Sequence, residues 1–419
     1  MQERPWTLKR VVTAGVIGNV LEWYDFAVYG FFAPILAAQF FPSDNPSVSL
    51  LAAFAAFAVG FLMRPVGAAL FGHIGDRHGR ARALLLSVAL MAVPTVLMGL
   101  LPTYASIGVA ASIAMVLLRM CQGLAVGGEF TSSIVFLAEQ SPPQRRGFFT
   151  SWAMFGATAG TMLGAAVGAA LTSALSPEAL AAWGWRAAFV SGIAVAVVGI
   201  ILRRNMFDEP AASTGPSPLK TALRDHGGAV LRVVGLNMAP AVTYYILFVY
   251  AATWLAQQAG LASALALDTT TASIVTFLVV APIAAWASDR FGRKRLLVIG
   301  MTACLLCAYP LASLMQSGEP LRVAAAQMAF AALLAVYMAS VPAAMCEMFP
   351  HTVRVSAVSV GYGLAYAIFG GTAPAVSVWL ISRTGNDLAF VWYLIGVTAI
   401  SLSFALTTRD RHLQSMNSV

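Results

Sequence analysis

The sequence predicts an all-α membrane protein with twelve transmembrane helices in two pseudo-symmetric six-helix bundles. Three observations carry this: an apolar composition that no soluble core could hide, twelve stretches long enough to cross a bilayer, and a polar loop motif that occurs twice, half a chain apart. Hydrophobic residues fill 59% of the 419 positions and charged residues 10%, against roughly a quarter charged in an ordinary soluble domain. A helix crossing a bilayer needs about 20 apolar residues.

Taken in order, the apolar stretches run over 12–38, 50–72, 83–101, 106–136, 148–173 and 187–202, then 233–256, 268–288, 296–315, 323–346, 355–381 and 388–407. Short polar breaks separate them. The first is long, has no small-residue cleavage site and is followed by others, so it reads as a span rather than a removable signal. The formal charge of +8 raises nucleic acid as a partner, but the placement of the 25 Lys and Arg residues points to topology instead. With the N-terminus in the cytoplasm, twenty of them lie on cytoplasmic segments. An even number of crossings with that bias puts both termini inside. Cys121, Cys304, Cys307 and Cys346 all fall inside spans; the CxxC spacing of two of them, in an apolar helix without His, is read as structural.

The longest polar interval contains Pro210, Gly215, Pro216 and Pro218 and divides the chain. The expected organisation is an N-terminal bundle over 1–203, a cytoplasmic linker over 204–231 and a C-terminal bundle over 232–419. Internal similarity supports it. GHIGDRHGRAR follows the second span and AWASDRFGRKR the eighth, with Asp76 and Asp289 offset by 213 residues. Glu139 precedes Arg146 by seven residues after span four, and Glu347 precedes Arg354 by seven after span ten. Carriers built from such repeats bind solute between the halves near the bilayer midplane.

The duplicated loop resembles that of the major facilitator superfamily over essentially the whole chain, which implies the major facilitator fold. Within it, GNVLEWYDFAVYGFFAPILAAQFFP in span one, GFLMRPVGAALFGHIGDRHGR, RMCQGLAVGGEF and the WGWR of Trp183 to Arg186 are similar to the metabolite:proton symporter family. Its members carry proline and glycine betaine, 2-oxoglutarate, citrate or shikimate. The resemblance implies a bacterial-type cytoplasmic (inner) membrane protein. Span five lacks the Gly-Pro signature of superfamily antiporters, which argues for symport over drug efflux.

A conformational latch is expected in the cytoplasmic loops. Asp76, Arg77, Gly79 and Arg80 form a tight turn that Gly79 permits, and Asp289, Arg290, Gly292 and Arg293 repeat it. A carboxylate there can dock on a helix N-terminus or an arginine. Glu139, Arg146, Glu347 and Arg354 are expected in the same charge network. The resemblance implies that Asp76 braces the halves in the outward-facing state.

Ionisable groups inside a bilayer cost about 2.5–3.5 kcal/mol each even on lenient scales, so Glu22, Asp25, Arg64, Arg119 and Glu129 are the candidates for proton coupling. All five belong to the first half. Glu22 and Asp25, three residues apart, share a helix face with Tyr29. Two nearby carboxylates in a dry site do not both ionise easily; the alternative is permanent neutralisation by Arg64 and Arg119. Arg119 opens RMCQG, which resembles the superfamily's fourth-span arginine motif for proton transfer. Glu129 is a further protonation candidate, ten residues beyond Arg119.

Expected solute contacts are Arg119, Tyr29, Trp152, Asn237, Tyr244, Tyr245, Tyr362 and Tyr366. Tyr244 and Tyr245 lead, because aromatic faces attract ammonium groups and VTYY resembles the betaine and proline carriers. Gly156, Gly160, Gly164 and Gly168 form a stripe for close helix approach, which packing alone explains and which would also suit two halves rocking past one another.

The expected function is proton-coupled uptake of a zwitterion such as proline or betaine, or of a monocarboxylate, by a monomer. Its partners are the solute, protons and membrane lipid, without nucleic acid. No metal or cofactor is expected beyond the proton as coupling ion. The alternative solute is a di- or tricarboxylate of citrate or 2-oxoglutarate type; a transport-inactive membrane sensor is the reading from another class. No phosphate-binding loop, nucleophile elbow or intramembrane HExxH supports an enzyme.

Overall fold

A computed structural model describes residues 8–78, 80–126, 129–194, 197, 218–414 and 416, of which 8–15, 75–78, 80–85 and 129, among others, by backbone alone. Helix dominates the described residues and no strand occurs among them. Among the described residues, nine helices are long and apolar enough to cross a membrane: Pro46–Ala68, Val109–Glu139, Pro143–Ala174, Gly227–Gln257, Ser263–Phe291, Arg293–Gln316, Pro320–Cys346, Arg354–Thr384 and Ala389–Thr407. Spans one and three correspond to Leu8–Phe31 with Ala33–Phe40, and to Arg80–Leu100. The start of span six lies in the helix Trp185–Val190, and most of its later part is outside the described residues. The described part of each of the twelve expected spans therefore contains helix.

Local chemistry sets the ends. Span two begins four residues earlier than its apolar run, because Asn45 caps it by accepting from the Ser47 N–H at 2.9 Å and Pro46 opens the first turn. Span eleven stops at Gly385, which takes the left-handed conformation at φ 65°. Of the expected linker, 204–217 lies outside the described residues; the rest contains a short helix, Pro218–Asp225, and span seven begins at Gly227, ahead of residue 232.

Burial separates inner from outer spans. The most apolar stretch of span seven is 94% buried within the protein, that of span nine 33%. Span seven is therefore a central helix, and span nine turns mostly outward, where lipid would take up its apolar surface. Spans five with eight, and two with eleven, join the halves. Span five also packs along span one, and this is where the glycine stripe acts. A Cβ on Gly156 or Gly160 would strike the backbone of Val16 or Val20, and one on Gly164 the side chain of Ala27. Three of the four glycines thus serve packing within the first half rather than an interface that rocks; Gly168 alone lies near both Phe31 and Leu267.

Two π-helical turns, Ile246–Tyr250 and Tyr366–Gly370, interrupt spans seven and eleven. Such turns occur frequently at functional sites. Both lie in the second half, immediately beside the tyrosines expected to face solute.

Candidate functional site

The two halves are joined by buried charge at the ends that carry the repeated loop motif. Asp289 accepts from the backbone N–H groups of Gly147 and Phe148, each at 2.8 Å, so its carboxylate sits on the N-terminus of the helix Arg146–Ala174 in the other half. Arg293 holds the same carboxylate at 2.6 Å and reaches Glu347 at 3.3 Å. The repeated Glu and Arg pairs exchange partners. Arg146 of the first half binds Glu347 of the second at 2.8 Å, and Glu139 of the first binds Arg354 of the second at 2.6 Å. Gly147 makes this close approach possible, since a Cβ there would meet Ser288, Ala285 and Arg293.

Arg290 does not join the network and corrects its expected place. Next in line after Asp289, it is turned about 100° round the helix, is exposed, and lies over the rings of Trp286 and Phe291. Gly292 has φ 101° and opens span nine, a conformation that suits glycine. Gly79 lies outside the described residues, as do the side chains of Asp76, Arg77 and Arg80.

One member was missed. Asp410, beyond the last span, accepts from the backbone N–H of Lys294 at 3.1 Å and faces His412 Nδ1 at 2.9 Å. Burial pushes its carboxyl up, but the N–H groups of Lys294 and His412 and the His412 ring outweigh this and hold it below its ordinary value. Arg411 reaches the Glu347 carbonyl at 3.5 Å and the Met416 carbonyl accepts from Arg354 at 3.1 Å. The segment after span twelve therefore lies against the latch. An acid following the last span was the only sequence signal.

The buried charges of the first half sort into two sites. Glu22 pairs with Arg64 at 3.3 Å, both about 95% buried. Asp25, expected beside Glu22 in one carboxylate pair, turns instead to span three, where Thr95 Oγ1 lies 2.7 Å from its Oδ2. Gln122 donates to Thr95 at 2.7 Å, and Arg119 donates to Gln122 at 2.6 Å. Arg119 and Asp25 are thus joined through two neutral side chains. Three residues along a helix leave about 60° between side chains, enough to part the two acids. Gln122 was legible as the i+3 neighbour of Arg119; Thr95 gave no signal among apolar residues. Glu129 opens the helix Glu129–Glu139, its side chain outside the described residues.

Arg119 is fully buried, its guanidinium carbon 4.4 Å from the Tyr29 ring centre, 4.6 Å from Phe26 and 5.1 Å from Phe57. Its Nε and Nη2 have no hydrogen-bond partner among the described residues. The rings supply cation–π attraction.

Between the halves lies an aromatic chamber. Trp23 stacks on Tyr245 at 6.2 Å and meets Phe130 and Tyr244 edge-on at 5.8 and 5.7 Å. Tyr362 stacks on Tyr366 at 4.0 Å and packs on Phe130 at 5.0 Å. Tyr362, Tyr366, Asn237 and Phe130 border a cavity with room for about one water molecule. Asn237 donates to the Val233 carbonyl at 2.8 Å.

Two expected contacts have their hydroxyls engaged elsewhere. Tyr29 donates to the Ala53 carbonyl at 2.9 Å beneath Arg119, and Tyr244 bonds Thr161 across the halves at 2.8 Å. Trp152 does not join the chamber: its ring packs on Phe148 and Phe155 of its own helix. Trp23, absent from the expected contacts, stands at the centre.

Away from these charge pairs the halves also touch. A Cβ on Gly30 would run into Val249 and one on Gly371 into Phe61, and the rings of Phe54 and Tyr250 meet at 5.8 Å. The chamber is closed towards both faces.

Comparison with known proteins agrees with this architecture. Residues 11–210 and 214–418 match the family described as sugar (and other) transporter. The chain is 37% identical over 264 residues to the proline/betaine transporter of Salmonella typhimurium, covering 59% of this chain and 53% of that protein. It is 36% identical over 264 residues to the shikimate transporter of Escherichia coli, covering 60% of each. The alpha-ketoglutarate permease of that organism is 35% identical over 270 residues, covering 64% of this chain and 62% of the permease. The match spans about half the length of the first of these relatives. Among solved structures, the xylose transporter XylE from E. coli, in a partially occluded inward-open conformation, superposes with a TM-score of 0.75 over 96% of this chain and 98% of its own, at 19% identity. That likeness shows the fold.

Proposed function

Because this chain belongs to the sugar (and other) transporter family, within the major facilitator superfamily, we propose that it is a proton-coupled symporter importing a small polar organic metabolite by alternating access. The observation that carries this reading is the buried relay Arg119, Gln122, Thr95, Asp25 beside a chamber closed on both sides. Thr95 has one hydroxyl proton and can accept two hydrogen bonds. With Asp25 ionised, Thr95 donates to it. With Asp25 protonated, Asp25 donates to Thr95, whose own proton turns to the Met91 carbonyl 2.8 Å away. The same atoms thus accommodate either charge state, which is what a carboxylate that loads and releases a proton needs.

The cycle runs as follows. A proton from outside loads Asp25, solute enters the chamber, the inner latch at Asp289, Arg293, Glu347, Arg146, Arg354 and Glu139 parts, and both leave to the cytoplasm. One proton moving down about 100 mV gains roughly 2.3 kcal/mol, and one pH unit adds about 1.4. A neutral or zwitterionic solute could be concentrated several-hundred-fold, whereas a monoanion moving with one proton loses the voltage contribution. Membrane lipid surrounds a monomer in an inner membrane, with both termini in the cytoplasm.

Zwitterions and monocarboxylates are the preferred solutes; the names of the relatives, proline/betaine and shikimate, support both. A dicarboxylate reading draws on the alpha-ketoglutarate relative and on the two unpartnered nitrogens of Arg119. Against it, three rings stand over that guanidinium.

Reconstitution into liposomes with an inward proton gradient tests the reading. Asp25→Asn should abolish accumulation of solute while leaving solute exchange at least partly intact. Accumulation that survives this change sinks the relay.

A further inference from the structure

Around Arg64 the chamber offers hydrogen-bond donors that no described residue takes up. Trp23 Nε1 and the Tyr245 hydroxyl have no hydrogen-bond partner among the described residues, and these residues are 4% and 1% exposed; the Tyr362 hydroxyl, in a residue 3% exposed, has the Tyr366 hydroxyl beside it. The Arg64 guanidinium carbon is 5.9 Å from the ring centres of both Trp23 and Tyr362, and Tyr245 stacks on Trp23. A buried donor left unmade is costly. The indole and the guanidinium can only donate. The group that satisfies several converging donors is one rich in lone pairs and negatively charged, and a carboxylate brings about four acceptor sites. An ammonium placed there would face Arg64 as a like charge.

Glu22 reaches Arg64 through one oxygen at 3.3 Å. That is longer than the 2.7–2.9 Å of a good charge-assisted bond, and it is not the two-point fork that a guanidinium offers. We propose that Arg64 anchors a carboxylate group of the solute, with Trp23, Tyr245 and Tyr362 completing its recognition, and that Glu22 is the stand-in which the solute displaces. The inference rests on the symport reading and names the chemical class its chamber takes.

Displacement has a consequence for charge. Arg64 with Glu22 is neutral; Arg64 with an anionic solute and an ionised Glu22 is not, and a dry chamber penalises the excess, whereas a zwitterion brings its own cation. For an anion, a second proton from the extracellular side, taken by a carboxylate oxygen of Glu22 in addition to the one on Asp25, restores neutrality and is released inward when the solute departs. The described groups around Glu22 are Arg64 from span two, Tyr245 from span seven and Asp25 one turn along its own helix. The described charged side chains on Arg146–Ala174 and Glu129–Glu139, packed along span one, are Arg146 and Glu139 at their cytoplasmic ends.

The test is equilibrium titration calorimetry of the purified full chain with proline, glycine betaine, shikimate and 2-oxoglutarate, each beside its carboxamide, in buffers of different protonation heat. At least one acid should bind and its carboxamide should not. Arg64→Gln should weaken binding about a hundredfold and Arg64→Lys about tenfold. Binding of an anionic acid should take up about one proton in the wild type and in Asp25→Asn, and none in Glu22→Gln, whereas a bound zwitterion should take up none at Glu22. If Arg64→Gln does not fold, Arg64→Lys and the proton count in Glu22→Gln decide. A carboxamide bound as tightly as its acid, unaltered affinity in the Arg64 variants, uptake persisting in Glu22→Gln, or no acid bound at all would overturn the proposal. Binding is read without transport, so loss of proton-driven accumulation in liposomes counts against symport alone.

Discussion

Thr95 has three polar neighbours and one proton to give, and this makes it the most informative single residue in the relay. Thr95→Val keeps the shape and removes the hydroxyl. Proton-driven accumulation should fall at least about tenfold, the scale of one or more lost hydrogen bonds to a charged group, while solute binding persists. Unchanged accumulation in liposomes would show that the proton goes elsewhere. The sequence made Glu22, Asp25, Arg64 and Arg119 visible because charge in an apolar helix is rare and costly. It left Thr95 hidden, since a hydroxyl inside a membrane helix bonds its own backbone as readily as a partner. Nor did it show that Glu22 and Asp25 part company, which depends on where spans two and three stand. Trp23 was passed over for a similar reason: an aromatic residue in a membrane helix packs more often than it binds.

At the scale of elements, the spans and their order were legible from hydropathy, and the repeated Glu and Arg pairs from their spacing. The crossing of those pairs was not, because sequence gives the offset between copies and says nothing of which copy faces which. A double-mutant cycle on Arg146→Ala and Glu347→Ala should give a coupling of about 0.5–3 kcal/mol in thermal stability, as should one on Glu139→Ala and Arg354→Ala. Additive effects would mean that the pairs contribute nothing as pairs. Asp410 adds a pH signature. Its carboxyl is held below the ordinary aspartate value, so its contribution to docking the final segment is complete above about pH 3.9 and lost as pH falls through the lowered folded value. At pH 7, Asp410→Asn should make the segment after span twelve more susceptible to proteolysis; equal cleavage in both proteins would remove it from the latch. In span five, Gly160→Leu meets the Val20 backbone and should cost about 1–3 kcal/mol or more, read as a lower Tm in detergent. An unchanged Tm would contradict the packing assigned to the stripe.

The whole molecule is two bundles that meet by different chemistry at each face. Charge pairs and a carboxylate on a helix N-terminus close the side that carries the repeated loops; rings and glycine contacts close the other. The asymmetry of buried charge was already visible in the sequence: the loops are duplicated while the intramembrane ionisable residues sit in the first half. The structure gives that asymmetry a spatial meaning, with the hydrogen-bonded chain of Arg119, Gln122, Thr95 and Asp25 in spans one, three and four and much of the aromatic chamber supplied by spans seven and eleven. The π-helical turns in those two spans needed backbone geometry to be seen. The central claim is that solute and proton move together, and it is tested most directly by fluorescence from a pH dye sealed inside proteoliposomes while candidate solutes are added outside. A transported solute should acidify the lumen in the wild type and leave it unchanged in Asp25→Asn. Uptake of labelled solute without acidification in the wild type would contradict the account.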